Sequence, residues 1–510
     1  MDFHQAPPRL TNTFHSDPLL EKTLKKRLPP DVWTKMSAHL KHVGELAVTD
    51  WLTWSQQAER ELPVHVPFDP WGERVDQIRM SAGWTQLEAA AATEGIVATA
   101  YERNEGEWSR VYQAALLYLY HPSSAFVSCP LAMTDGAARA IELYGDDELK
   151  KNAFKHLTSR DPKTFWTSGQ WMTEKIGGSD VSGTETVARK SSAQNGFDWQ
   201  LNGVKWFTSA TTSQMAMLLA RPEGAEMGSR GLSLFYTELR DPNQNLRNIE
   251  ILRLKDKLGT KALPTAELRL TGTPARLVGE MGGGVKKISS LFNVTRVYNS
   301  ICSLGQWRRA LDLAWAYADV RVAFGKKLKD LPLHRITLKN LETDFEKAFE
   351  LTFFVAHLLG KDECGTATEK ERTLLRAVTP IAKLWTGKKC VEACSEVVES
   401  FGGAGYIEDV GVAKMLRDAQ VLSIWEGTTN VLSLDFLRAL EKEQAAPVLA
   451  EYLQTEGARY LATPKGQAEW QEVQSLLAQG QKNGRDYLES QARRLSFLVA
   501  ELIAGARLVS

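Results

Sequence analysis

The residues best suited to chemistry lie in two short stretches. The first is Trp171–Asp180, reading WMTEKIGGSD. Its Gly177-Gly178 pair allows a backbone turn and close approach to a ligand. The Thr173 and Ser179 hydroxyls can donate hydrogen bonds to a cofactor's polar edge or to a pyrophosphate. The same composition also suits an ordinary strand-to-loop turn closed by local side-chain bonds. The second stretch is Ile424–Asn430, IWEGTTN, in which Glu426 lies between Trp425 and Gly427 and follows the apolar Val421-Leu422. A carboxylate so flanked suits a pocket wall, where desolvation strengthens it as a base. Taken alone, a Glu before a Gly is more often a solvated turn residue.

The elements that must position these stretches follow from periodicity. Phe197, Trp199 and Leu201 alternate with polar residues, Asn202-Gly203 supplies a turn dipeptide, and Val204 and Trp206 resume the alternation. Leu232, Leu234 and Tyr236 repeat the pattern, as do Ala266, Leu268 and Leu270. This β island, from about Phe165 to Val278, stands between helical blocks and predicts an α+β chain. Residues 1–25 read as an extended arm, Pro30–Leu62 as helix, and the proline-bearing Pro63–Arg74 as a linker. Helix is expected from Gln77 to about Arg160, broken at His121-Pro122 and Cys129-Pro130. GEMGGG, ending at Gly284, introduces a long helix carrying Ile288, Leu291, Thr295, Tyr298 and Cys302. It lacks the spacing and distal acid of a dinucleotide fingerprint, and no Walker A, HExxH or GxSxG is present.

A chain of 510 residues implies several domains, and 43% hydrophobic with 24% charged residues is ordinary for a soluble protein. Lys+Arg 62 against Asp+Glu 62 gives no global reason to expect nucleic acid or an anionic membrane. Five sparse cysteines (Cys129, Cys302, Cys364, Cys390 and Cys394) read as reduced thiols of a cytoplasmic protein. No apolar run reaches a membrane span, and no metal pattern is seen. Residues 441–510 form a helical extension with eight Lys/Arg against nine Asp/Glu and an apolar end, LSFLVAELIAGARLVS.

In order, MTEKIGGSDV, LNGVKWFTS, RLKDKLGTK and SIWEGTTNVLSLDFLRAL resemble segments of the acyl-CoA dehydrogenase family, nearest its alkylation-response (AidB-type) branch. The resemblance spans about residues 80–440. It implies an N-terminal arm and helical domain (1–164), a middle β-domain (165–278), a C-terminal four-helix bundle (279–440) and a helical extension (441–510). FAD would lie between β-domain and bundle, with its adenosine end reaching a neighbouring subunit of a homotetramer. Met172, Thr173, Gly178 and Ser179 match the contacts to the isoalloxazine edge and pyrophosphate. Phe207 stands where relatives carry a stacking Trp, Ser209 stands for Thr, and Trp206 is a candidate to compensate. Arg321 and Phe324 match RxxFG, which binds FAD across the interface; Glu399, Gly402 and Gly403 match the other adenosine-side segment. Pro332 and Glu399 replace the common Gln residues there. Thr428 and Asn430 match further FAD contacts.

The resemblance implies oxidation of an acyl-CoA to its 2-enoyl product, with electron-transfer flavoprotein or a similar acceptor. Glu426 takes the base position; the alternative helix position is Thr295. Arg296 would orient the base. Asn293 replaces an Asp that holds the pantetheine arm, and Trp425 replaces a Tyr beside the base. Two other readings compete: an acyl-CoA-binding or DNA-associated protein with little turnover, and an oxidase of nitroalkane-like carbon acids. The near-neutral extension argues against nucleic acid, although Arg493-Arg494 could make a local patch.

Overall fold

The computed structural model describes residues 5–194 and 196–509. The chain packs as two compact units: Met1–Val48, Glu102–Pro122 and Arg296–Ser510 form one, and Thr49–Tyr101 with Ser123–Thr295 form the other.

The second unit is organised by seven strands. Ser168–Trp171 and Val187–Gln194 each run parallel to Met215–Pro222, and the remaining pairings are antiparallel. Val187–Gln194, Phe197–Ser209, Thr265–Leu277 and Ser233–Glu238 follow in order, and the last pairs back onto Met215–Pro222. The sheet therefore closes a ring. Met215–Pro222 is buried throughout, and its two faces serve different cores. Ala216, Leu218 and Ala220 join Trp171, Trp199 and Phe235, while Met215, Met217 and Leu219 join Ile141, Leu149 and Leu291. The alternation is the period-2 geometry of a strand buried on both sides.

Three sequence expectations change here. Asn202-Gly203 does not turn: Phe197–Ser209 is one strand, irregular in register between Leu201 and Asn202. The extra residue is Gly272 on the partner strand, so the alternation of Phe197, Trp199 and Leu201 runs on unbroken and Lys205, not Val204 or Trp206, is the fully buried side chain. Gly203 is needed because a Cβ would lie 2.4 Å from the Thr186 Oγ1. Pro63–Arg74 is not a plain linker, because Val64–Phe68 and Arg74–Arg79 form a hairpin that takes in Gln77. Within residues 1–25 a helix begins at Pro18 and runs to Arg27, capped by the Asp17 carboxylate on the Leu19 and Leu20 amides.

The first unit is helical. From Arg296 onward the long helix Gly284–Val320 packs with Pro332–Glu363 and Glu369–Ser400 around Trp307, Phe345 and Phe349. A reciprocal capping box, Thr368 with Glu371, opens Glu369–Ser400. The terminal helix Arg485–Val509 lies against Pro332–Glu363 and Thr429–Lys442 and buries Leu495, Leu502 and Ile503. That contact explains the apolar end of the sequence. Among the described residues no helix is long and apolar enough to cross a membrane.

Candidate active site

In the helical unit the loop after helix Val412–Leu422 carries Glu426 in a left-handed conformation, φ 56, followed by Gly427 at φ 112. A non-glycine residue held there stores strain, so its surroundings must fix it. Two cations do so through the backbone. Lys383, fully buried on Glu369–Ser400, donates to the Gly427 carbonyl at 2.7 Å. Arg296 Nε donates to the Glu426 carbonyl at 3.4 Å. Gly387 allows the helix close to this loop, since a Cβ there would lie 2.9 Å from the Leu422 oxygen.

Burial pushes the Lys383 ammonium down to about 7, helped by the Arg296 charge and opposed by that of Glu426. Arg296 is itself anchored. Its Nη1 reaches Asp435 at 2.8 Å, and Arg376 reaches the other oxygen of Asp435 at 2.6 Å. Burial alone would raise the Asp435 carboxyl, but the two guanidiniums outweigh it and hold it below its ordinary value. Arg296 therefore both makes a helix–helix ion pair and touches the loop, at its backbone. Trp425 is half-buried, and Thr428 and Asn430 are exposed at the start of helix Thr429–Lys442. Asn293 is half-buried, one turn before Arg296. Thr295 is buried with its hydroxyl on the Leu291 and Phe292 carbonyls, a neutral group in place of a carboxylate.

RxxFG is a small hairpin, Val322–Ala323 against Lys326–Lys327. Its two turn residues, Phe324 and Gly325, are both left-handed, φ 52 and 77, as a type I′ turn requires. Phe324 is 95% exposed. Arg321 Nη1 donates to the Gln5 side chain at 3.2 Å. Pro332 occupies the first turn of its helix, where its missing N–H costs nothing. Glu399 is exposed; beside Gly402 and Gly403 nothing lies within 4 Å of the position of a Cβ.

In the β unit Trp171–Asp180 leaves the sheet and makes a tight turn, with Glu174 and Gly177 exchanging both backbone bonds. Neither Gly177 nor Gly178 is left-handed here. Gly177 is demanded by the Asp180 carbonyl, 2.4 Å from a Cβ, and Gly178 by the Thr173 side chain at 3.0 Å. Met172 is buried, Thr173 half-buried, and Gly178 and Ser179 exposed. The stretch is tied to the neighbouring strand by Trp206 N–H on the Thr173 carbonyl, 3.0 Å.

Glu174 is the anchor that sequence reasoning missed. It accepts from the Lys205 ammonium (2.7 Å), the Glu185 amide (2.7 Å) and the Thr186 hydroxyl (2.5 Å). Burial opposes its charge, but Lys205 and these bonds hold its carboxyl below the ordinary value. Lys383 and Glu174 carry no motif; a Lys amid TPIAKLW and an acid inside MTEKIGG were the only signals.

Between Lys205 and Thr208 the strand register shifts again. Lys255 lies over the Trp206 ring at 3.2 Å and over Phe207 at 4.7 Å, and Lys175 approaches Trp206 at 4.9 Å. The Trp206 ring is thus engaged by cations, whereas Phe207 is 52% exposed. Ser209 shares a hydroxyl bond with Thr265 at 3.1 Å. The residues of this unit fit a flavin: open hydroxyls and small residues at one stretch and an exposed aromatic at the other. Among the described residues no cluster of His, Cys, Asp or Glu could hold a metal ion.

Three family models match: the N-terminal domain of adaptive response protein AidB over residues 5–162, the acyl-CoA dehydrogenase middle domain over 169–273, and the acyl-CoA dehydrogenase C-terminal domain over 282–441. Acyl-CoA dehydrogenase family member 11 of Caenorhabditis elegans is 41% identical, covering 99% of this chain and 85% of that protein. AidB of Escherichia coli K12 is 30% identical over 80% of this chain and 74% of its own. The Caenorhabditis elegans protein in complex with C11-CoA superposes with a TM-score of 0.94 at 40% identity, covering 99% of this chain and 88% of that one. The apo form of Bd2924 gives 0.96 at 58%, covering 100% and 99%.

Proposed function

Because the chain belongs to the acyl-CoA dehydrogenase family, near AidB, we propose that it is an FAD-dependent enzyme that oxidises an acyl-CoA to its 2-enoyl-CoA. The observation that carries this reading is Glu426, held left-handed on a loop whose next carbonyl is pinned by a buried lysine. A binder with no chemistry has no use for a strained carboxylate so placed.

Bound FAD would supply the acceptor for the substrate's β-hydrogen as hydride, a function that no side chain can perform. The chain supplies the rest. Glu426 removes the α-proton, and the Gly427 N–H would face the thioester oxygen, with Arg296 on the carbonyl of its own peptide and Lys383 on the carbonyl of the next. Arg296 holds the loop while Asp435 and Arg376 hold Arg296. Asn293 and Trp425 would meet the pantetheine and acyl parts. Met172, Thr173, Gly178, Ser179, Thr428 and Asn430 would hold FAD by polar contacts, with Phe207 and Ser209 along its ring; Trp206 supports through Lys255. Arg321, Phe324, Glu399, Gly402 and Gly403 would serve the adenosine end of a neighbour's FAD. The exposed Phe324 and Leu333 support such an oligomer, a homotetramer as in the family. The C11-CoA held by the Caenorhabditis elegans relative supports acyl-CoA as ligand. Five free thiols support a reducing, cytoplasmic setting. Electron-transfer flavoprotein or a similar acceptor would take the electrons onward. The DNA-associated reading gains nothing from the extension, where Arg494 is paired with Glu472 at 2.5 Å.

The test is an anaerobic titration of the flavoprotein with acyl-CoAs of graded length and branching, following the visible flavin band. Bleaching by one class is expected. A spectral shift without bleaching would replace this reading with acyl-CoA binding alone.

A further inference from the structure

The helical unit contains a cavity of about 590 Å³ to which the acyl-CoA chemistry assigns no task. Its floor is apolar, built from Val111, Phe353, Leu358 and Leu374, and Trp108 stacks on His357 at 3.8 Å in its wall. Its charge is one-sided. Lys26, Arg27, Lys361 and Arg507 line it against only Glu371 and Glu456, while burial keeps the lining His357 neutral. Glu371 is already committed, to Lys361 and to the Thr368 cap. Arg27 pairs with Glu350 and donates to the Arg507 carbonyl at 3.1 Å, yet its buried Nε finds no acceptor. The Arg507 guanidinium lies over the Phe354 ring at 4.5 Å and close enough to Arg27 to repel it. Glu350 offsets only one of the two guanidinium charges gathered at the edge of this apolar hollow, which leaves a charge for a further anion.

The outer wall places this feature outside the family's shared machinery. Tyr452, Glu456 and Arg507 belong to the helical extension, beyond residue 441 where the matched C-terminal domain ends. None of Arg296, Lys383, Glu426 or Asp435 lines the cavity. Its volume is that of a small-molecule site, with apolar walls and a few converging polar groups.

We propose that this cavity is a second ligand site, which takes an amphiphile with one anionic head, carboxylate or phosphate, on Arg27 and Arg507 and lays its apolar tail on Phe353, Leu358 and Leu374. The extension then has a function: it closes the site.

The test is titration calorimetry of the FAD-loaded protein with decanoate, decyl phosphate and decanol. Saturable binding of one anion per chain is expected, with decanol at least tenfold weaker; the stronger of the two anions identifies the head. Arg507→Gln should weaken binding at least tenfold, Arg507→Lys should keep most of it, and Leu358→Trp should abolish it by filling the floor. Both Arg507 variants should still show flavin bleaching by acyl-CoA, so failure of this site is distinguishable from failure of the dehydrogenase reading. If Leu358→Trp does not fold, the Gln and Lys pair decides. No saturable binding, equal binding of decanol, or binding unchanged in Arg507→Gln would overturn the proposal.

Discussion

The Lys383 ammonium lies 2.7 Å from the Gly427 carbonyl oxygen, joining residues 44 positions apart. Lys383 is wholly buried, and burial pushes it down to about 7. Its role is to position the loop: it fixes the peptide after Gly427 and adds a charge whose presence depends on pH. Lys383→Met should keep FAD and acyl-CoA binding but slow flavin bleaching by about ten- to a hundredfold, as misplacement at a reacting centre does. The wild-type rate should show an inflection near 7 that the variant lacks. An unchanged rate and profile would reduce Lys383 to a packing role. Stability has its own sign. The unfolded lysine holds its proton up to about 10.5, the folded one only to about 7, so stability contributed at this site rises with pH across that window and is lost below it.

Phe324 should be replaceable without harm to its hairpin. A bulky side chain at φ 52 costs about 1 kcal/mol, which Asn would relieve in a type I′ turn. Phe324→Asn should therefore leave the melting temperature unchanged or slightly raised, while FAD retention on gel filtration falls about tenfold if the exposed ring covers a neighbour's adenosine. Undiminished FAD retention would remove Phe324 from the cofactor site.

Lys205 and Glu174 predict a steeper effect. Both are buried, so Lys205→Met leaves an uncompensated carboxylate and should cost about 3–5 kcal/mol in urea unfolding. Lys205→Met with Glu174→Gln should recover much of that loss. Because Glu174 also ties down the turn at Trp171–Asp180, the single variant should release FAD before it unfolds. Coincident loss of flavin and fold would refute that order.

Lys205 also shows where the sequence stopped being legible. The alternation through Phe197–Leu201 was readable because it is local, and the β island stood in the right place. Asn202-Gly203 looks like a turn because both residues suit one. In the strand they instead run straight on while the partner strand bulges at Gly272, and only the neighbouring Thr186 reveals why Gly is needed. The Pro63–Arg74 hairpin was hidden similarly, since proline marks edge strands as well as loops. Glu426, Arg296 and RxxFG were singled out through ordered motifs. Lys383 was not, because an internal helical lysine announces nothing until its partner, far along the chain, is placed.

His121 makes the acid limit of the fold predictable. It is 2% exposed, and burial, with the nearby Lys414 and Arg309 charges, pushes its imidazole down to about 3. The unfolded chain takes up a proton there near 6.5; the folded chain does not until about 3. Between those values the unfolded state binds more protons, so stability rises with pH and drains away on acidification, by up to about 1.4 kcal/mol per pH unit. His121→Gln keeps a polar group but removes the titration. Urea midpoints measured between about pH 7 and about pH 5 should fall for the wild type and fall distinctly less for His121→Gln. Parallel curves for the two proteins would mean that other groups set the acid limit and that His121 contributes packing alone.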